Sequence, residues 1–385
     1  MAYFDYNATT PLNSAGREAL LEALENAWAN PSSPYADSAR VHNSLEAARE
    51  DLAALLDIEP DGLIFTSGAT EANNAVVRYF ARLLPAGKMI ALSPFEHPSV
   101  DEPARFYLKD KIRFLNSDPA GLVDLDDLQK VLKEGKVGAV SVMAVNNESG
   151  VIQPWEEVAK LCRESGVFFH CDASQWFGKA EGGDFSRCDF LVGCGHKFGA
   201  PKGSGFLAAS SRAQGIRLQL GGAQESGQRG GTENTPAILG MVAALKYALR
   251  HFDGMAGQKL FRDKFETAVE AGIPKVAILG KNAPRVPNTS YLLMPRFENL
   301  RWVRKLDLKG FQISTGAACS TGKTGQSALL TAMGFPADAA RRTLRISSGP
   351  ETTNLDWQEL AEAFKSIWVS FQEADTSDDA EVISI

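Results

Sequence analysis

The run Phe190-Leu191-Val192-Gly193-Cys194-Gly195-His196-Lys197-Phe198-Gly199-Ala200-Pro201-Lys202-Gly203 places one lysine, Lys197, among glycines directly after a short apolar stretch. The apolar residues, bounded by turn residues, read as a buried strand. Glycine has no Cβ, so a bulky ligand can lie against the backbone there. A lysine in a desolvated place gives up its proton readily and becomes a candidate Schiff-base former. In open α/β sheets ligands bind at the carboxyl ends of the strands. The residues that follow the neighbouring strands therefore bear on what Lys197 serves.

Working outward, short apolar runs at 62–65, 89–92, 112–115, 137–145, 167–170, 190–192 and 205–208 alternate with helical spacing at 70–84, 125–132 and 155–165. Strands alternating with helices predict an α/β fold with a mostly parallel central sheet and helices on both faces. After Gly231-Thr232-Glu233-Asn234 the pattern changes. Two helices are expected near 236–252 and 258–271, then strands near 276–279, 289–293, 310–314 and 343–346 with helical segments between them, which reads as a smaller α+β domain. The expected division is 13–252 for the large domain, 1–12 with 253–372 for the small one, and a polar, acidic tail at 373–385 that frays.

Each strand end offers one group. Thr66-Ser67-Gly68-Ala69-Thr70-Glu71 opens a helix with small residues, which allow backbone N–H groups to approach an anion. Glu96-His97-Pro98 supplies a flat ring, and Asn146-Asn147-Glu148 a polar turn. His170-Cys171-Asp172-Ala173-Ser174-Gln175 supplies a carboxylate that can cap a helix or pair with a protonated ring nitrogen. Taken singly, these segments read as caps and turns. Taken together, an anion cup, a stacking ring, an aspartate and a lysine are the parts that pyridoxal 5'-phosphate (PLP) requires.

Composition narrows the class further. The 385 residues, 44% hydrophobic and 23% charged, suffice for more than one core. A net charge of −7 leaves no basic excess for a nucleic acid. No apolar run reaches bilayer length, and the first residues lack signal-peptide character, so the expected compartment is the cytoplasm. The five cysteines, Cys162, Cys171, Cys188, Cys194 and Cys319, show no CxxC pair and point to neither a disulfide framework nor a zinc site. Gly322-Lys323-Thr324 resembles the end of a phosphate-binding P-loop, but the glycine needed five positions earlier is Ala317.

In chain order, the segments resemble the class V aminotransferase family, and within it the cysteine desulfurases of the NifS/IscS type. The resemblance runs through Phe4-Asp5-Tyr6-Asn7-Ala8-Thr9-Thr10-Pro11, the segments quoted above, and Arg229-Gly230-Gly231-Thr232-Glu233-Asn234. It continues through Pro287-Asn288-Thr289, Ser314-Thr315-Gly316-Ala317-Ala318-Cys319 and Leu344-Arg345-Ile346-Ser347. It implies a PLP-dependent transferase of fold type I, aspartate-aminotransferase-like, acting as a homodimer. By this resemblance Lys197 matches the aldimine lysine, Asp172 the carboxylate on the pyridine nitrogen, and His97 the stacked ring. Gln175 and Asn147 match groups around the phenolic oxygen and the substrate. Ala69, Thr70, Cys194 and His196 fall in the phosphate site, and Thr232 matches a threonine contributed by the partner subunit. Arg345, with Asn7 and Asn147, falls on the substrate side, where guanidinium suits a carboxylate. Cys319 matches the nucleophile that takes sulfur from L-cysteine as a persulfide, leaving L-alanine. The sulfur would pass to an acceptor protein such as an iron–sulfur scaffold.

Two departures stand out. Cys194 holds a place usually given to serine, and a thiol is the poorer donor. Ser327-Ala328 replaces the usual Ser-His or Ser-Tyr pair. Selenocysteine lyase, a C–S lyase and an aminotransferase remain alternatives within the family. A non-catalytic, partner-binding subunit of the same fold is the alternative of another class.

Overall fold

A computed structural model describes residues 1–316 and 327–381, with side chains of the last helix described through Ala374. The chain opens with β1 (Ala2–Tyr3), α1 (Ser14–Asn26), α2 (Ala36–Leu56), β2 (Leu63–Thr66), α3 (Ala69–Leu83), β3 (Met89–Leu92), α4 (Pro98–Leu108) and β4 (Ile112–Phe114). It continues with α5 (Leu125–Lys133), β5 (Val137–Ser141), α6 (Trp155–Glu164), β6 (Phe168–Asp172), β7 (Phe190–Cys194) and β8 (Gly205–Ala209). Next come α7 (Thr235–Arg250), α8 (Phe252–Gly272), β9 (Ala277–Ile278), β10 (Thr289–Leu293), α9 (Asn299–Leu308), β11 (Phe311–Gln312), α10 (Ala328–Ala332), β12 (Thr343–Ser347) and α11 (Asn354–Glu381).

Seven strands form the main sheet in the order β2-β8-β7-β6-β5-β3-β4. β7, β6, β5, β3 and β4 are mutually parallel, while β8 lies antiparallel between β2 and β7. The sheet is therefore mostly parallel, as the alternating pattern implies. β8 departs because the short connection after Lys197 turns the chain straight back beside β7, and only an antiparallel neighbour can be reached that way. The apolar run at 137–145 forms β5 only to Ser141. Beyond it, Val142 N–H and Ala144 N–H still donate to His170 O and Asp172 O, so the run stays paired beside β6 although irregularly.

Two clusters of buried apolar side chains flank this sheet, one including Phe80, Ile90, Phe190 and Leu207, the other Phe65, Val140, Trp155 and Phe206. A third core lies around the antiparallel sheet β12-β10-β9 and includes Phe4, Phe265, Trp302, Trp357 and Phe364. Of the expected strand near 310–314, Ser314 makes a single antiparallel bridge to Arg345 of β12, and β11 pairs with β1. This pairing brings the start of the chain onto the third core and places the segment after β1 against the edge of the main sheet. The tail expected to fray from 373 instead continues α11 through Glu381. Its earlier turns are anchored by buried Trp357, Phe364 and Phe371, which carry the helix on.

Candidate active site

β6 ends on Asp172 and β7 on Cys194, and a 3-10 turn, Gly195–Lys197, follows β7. Gly193 is required here, because a Cβ would stand 2.2 Å from the Phe206 ring. Lys197 Nζ donates to the carbonyls of Asn7 at 2.8 Å and Ala8 at 2.9 Å. Asn7 is buried and joins several groups. Its carbonyl also accepts from Gln175 Nε2 at 2.9 Å, its Oδ1 accepts from Lys179 Nζ at 3.1 Å, and its Nδ2 donates to Thr289 Oγ1 at 2.9 Å. Lys179 Nζ also donates to Gln175 Oε1. Arg345, from β12, donates through Nη1 to Asn147 O at 3.1 Å and forms a 2.6 Å ion pair through Nη2 with Asp5. Its Nε is buried and has no hydrogen-bond partner among the described residues.

A second network fixes the carboxylate. Asp172 accepts from Asn73 Nδ2 at 2.7 Å and from Ser174 N–H at 2.9 Å. Both bonds are accepted, as a carboxylate requires. Asn73 Nδ2 also donates to Ser99 Oγ at 2.9 Å, and Asn73 Oδ1 lies 3.1 Å from His170 Nε2. With the Asn73 amide nitrogen committed to donation, His170 must donate from Nε2. Its Nδ1 then accepts from Ser141 Oγ at 2.9 Å. Burial pushes His170 down to about 4, so this ring is neutral.

His97 caps α4: its Nδ1 accepts from Ser99 N–H at 3.1 Å, with Ser99 Oγ 2.8 Å away. With Nδ1 held as an acceptor, the ring proton belongs on Nε2. Burial, and secondarily the Lys197 charge set against the pull of Asp172, lowers the His97 pKa. The preceding Glu96 is buried, accepts from Met143 N–H at 2.7 Å, and is pushed up to about 8 by burial and by the Asp172 charge.

The start of α3 completes the edge. Gly68, at φ +147°, precedes the helix, whose start receives no side-chain cap among the described residues. Cys194 Sγ lies against it, drawn by Ala69 N–H and His196 N–H, and burial raises the thiol pKa. Thr70 lines an open cleft with Asn74, His97 and Ser99. His196 Nδ1 lies 3.2 Å from Thr9 Oγ1, and burial, aided by three nearby lysines, lowers it to about 4.

Lys197, Asn7, Gln175, Asn147 and Arg345 are thus linked by hydrogen bonds, and Asp172 is tied to His97 through Asn73 and Ser99. Ala69, Thr70, Cys194 and His196 flank them. Thr232 stands apart, exposed on the loop before α7, and makes no hydrogen bond to the group among the described residues. Cys319 and Gly322-Lys323-Thr324 lie outside the described residues. Asp5, Asn73, Ser99, His170 and Lys179 were not singled out from the sequence. Asp5 and His170 stand inside quoted motifs, but nothing local marks an aspartate or histidine as a long-range partner. Lys179 looks in sequence like any solvated lysine.

Residues 2–360 match the family model described as aminotransferase class-V. The chain is 36% identical over 359 residues to the cysteine desulfurase IscS of Dictyoglomus turgidum, covering 92% of this chain and 91% of that protein. A NifS-like protein from Rickettsia africae superposes with a TM-score of 0.86 at 29% identity, covering 96% of this chain and 99% of the other. A structure described as SspA in complex with cysteine superposes with a TM-score of 0.78 at 28% identity, over 92% of this chain and all of that one.

Proposed function

The chain belongs to the class V aminotransferase family, and we propose that it is a PLP-dependent cysteine desulfurase that converts L-cysteine to L-alanine and passes the sulfur on as a persulfide. The observation that carries this reading is the convergence of Lys197, buried Asp172 and the uncapped start of α3 on one sheet edge. The family implies PLP dependence, and the residues present fit that group. The N–H groups at the start of α3, with Thr70, Cys194 and His196 beside them, suit a phosphate. Asp172, held as an acceptor by Asn73, suits a protonated ring nitrogen. Lys197 is the amine that would carry the aldehyde. The buried Nε of Arg345, without a partner among the described residues, is a donor suited to a carboxylate.

When bound, PLP supplies an electron sink for a carbanion next to the substrate amine. The chain's own residues do the rest. Arg345 binds the substrate carboxylate, exchanging its ion pair with Asp5 for a similar one. Lys197 moves the α-proton. His97, its pKa lowered by burial, can take a proton at Nδ1 once Ser99 lets go, and the imidazolium so formed can then release one from Nε2. Cys319 attacks the substrate sulfur as a thiolate. The Cβ–S bond breaks, its electron pair stays with carbon, and a proton completes L-alanine. The sulfur remains on Cys319 until an acceptor thiol takes it. Thr232 is proposed to serve the partner subunit's site in a homodimer.

Incubation with L-cysteine tests this reading. Alanine should form, and the peptide containing Cys319 should gain one sulfur atom. Cys319→Ala should lose sulfur transfer but keep the visible cofactor band. Borohydride should trap an adduct on Lys197. Sulfur release unaffected by Cys319→Ala would move the assignment to a lyase, and no adduct at Lys197 would remove it altogether.

A further inference from the structure

Lys179 is a wholly buried amine with no carboxylate in salt-bridge range among the described residues. An apolar side chain of similar length would fill the same space without desolvating a polar head. Its two bonds, to Gln175 Oε1 and Asn7 Oδ1, show what the amine accomplishes. An amide side chain can turn over, exchanging its oxygen and nitrogen ends at little cost. Lys179 Nζ donates to both of these oxygens, so the Gln175 carbonyl faces it. The Gln175 NH2 is thereby turned toward the Lys197 side, where one hydrogen goes to Asn7 O, the carbonyl that also receives Lys197 Nζ. The second hydrogen remains for a bound group.

We infer that Lys179 is a positioning residue that acts on the cofactor site through Gln175, locking that amide as a hydrogen-bond donor beside Lys197. This rests on the PLP reading of the site. Burial, reinforced by the charges of Lys197 and Arg345, holds the Lys179 pKa well below its usual value.

The test is a double-mutant cycle on the PLP dissociation constant and the position of the visible band, measured with apo-protein reconstituted by PLP. Lys179→Met should weaken PLP binding by about tenfold, within the range by which residues in one network couple, and should shift the band. In a Gln175→Leu background the same substitution should change either by less than about twofold, because the group it positions is gone. Lys179→Gln, uncharged but still an N–H donor, should retain the wild-type band, and it carries the comparison if Lys179→Met does not fold. A wild-type band and affinity in Lys179→Met, a full effect persisting without Gln175, or a Lys179→Gln band matching that of Gln175→Leu would overturn the inference. Absence of PLP binding at Lys197 in the wild type would instead overturn the reading beneath it.

Discussion

Glu96 carries a pH dependence that its neighbours impose. It precedes His97, is buried, and is pushed up to about 8 by burial first and the Asp172 charge second. In the unfolded chain a glutamate titrates near about 4.3. Between those values the folded protein keeps a proton that the unfolded chain has released. Its stabilising contribution is therefore full below about pH 4.3 and is lost as pH rises toward 8, at about 1.4 kcal/mol per unit. Glutamine keeps an acceptor for Met143 N–H and does not titrate. Thermal melts should show Glu96→Gln gaining on the wild type as pH rises from 5.5 to 8. Parallel melting curves across that range would mean the carboxyl ionises normally. Nothing in Glu96-His97-Pro98 marks this glutamate, since its burial is decided by Met143, distant in sequence.

At the scale of elements, the central strands are legible because strands covered on both faces read as unbroken apolar runs. α2 was not among the expected helices, although it carries a stripe of Val41, Leu45, Ala48, Leu52 and Leu56 at helical spacing. α1 buries only Gly16 and Ala23, residues too small to mark a face. The role of β8 could not be read, because it depends on backbone approach. A Cβ on Gly205 would meet Gly68 Cα at 2.7 Å and Gly193 O at 2.8 Å, atoms that cannot swing aside. Gly205→Ala should therefore push β8 against the loop before α3, costing about 1–3 kcal/mol of stability and weakening PLP binding with it. Gly257, exposed in α8 with nothing within 4 Å of an added Cβ, is the control. Gly257→Ala should stabilise by about 0.5–1 kcal/mol through helix propensity, with PLP affinity unchanged. Denaturant titrations and PLP binding measure both, and equal effects at the two glycines would refute the packing argument.

For the whole molecule, the site assembles from segments far apart in the chain. Asn7 follows β1, Gln175 and Lys197 follow β6 and β7, and Arg345 lies on β12. The order of the motifs made these residues legible. The Ser141–His170–Asn73 chain behind Asp172 was not, because each link exists only once strands and helices pack. Among the described residues, Thr232 is the one site residue the single chain leaves outside, exposed on a surface loop that also bears exposed Leu220. If it reaches the phosphate of the partner subunit, complementation follows from two-fold symmetry, since each site then draws Lys197 from one chain and Thr232 from the other. A heterodimer of Lys197→Ala and Thr232→Val chains, isolated with two different tags, contains one site with both residues intact. Losing a hydrogen bond to a charged phosphate costs about 1.5–3 kcal/mol, so Thr232→Val homodimers should bind PLP at least tenfold more weakly. The heterodimer should recover wild-type PLP affinity and about half the wild-type activity per dimer. If Thr232 serves its own chain, the only functional lysine sits beside the substituted position, and affinity stays weak. A chain that remains monomeric at working concentration yields no heterodimer and ends the shared-site reading.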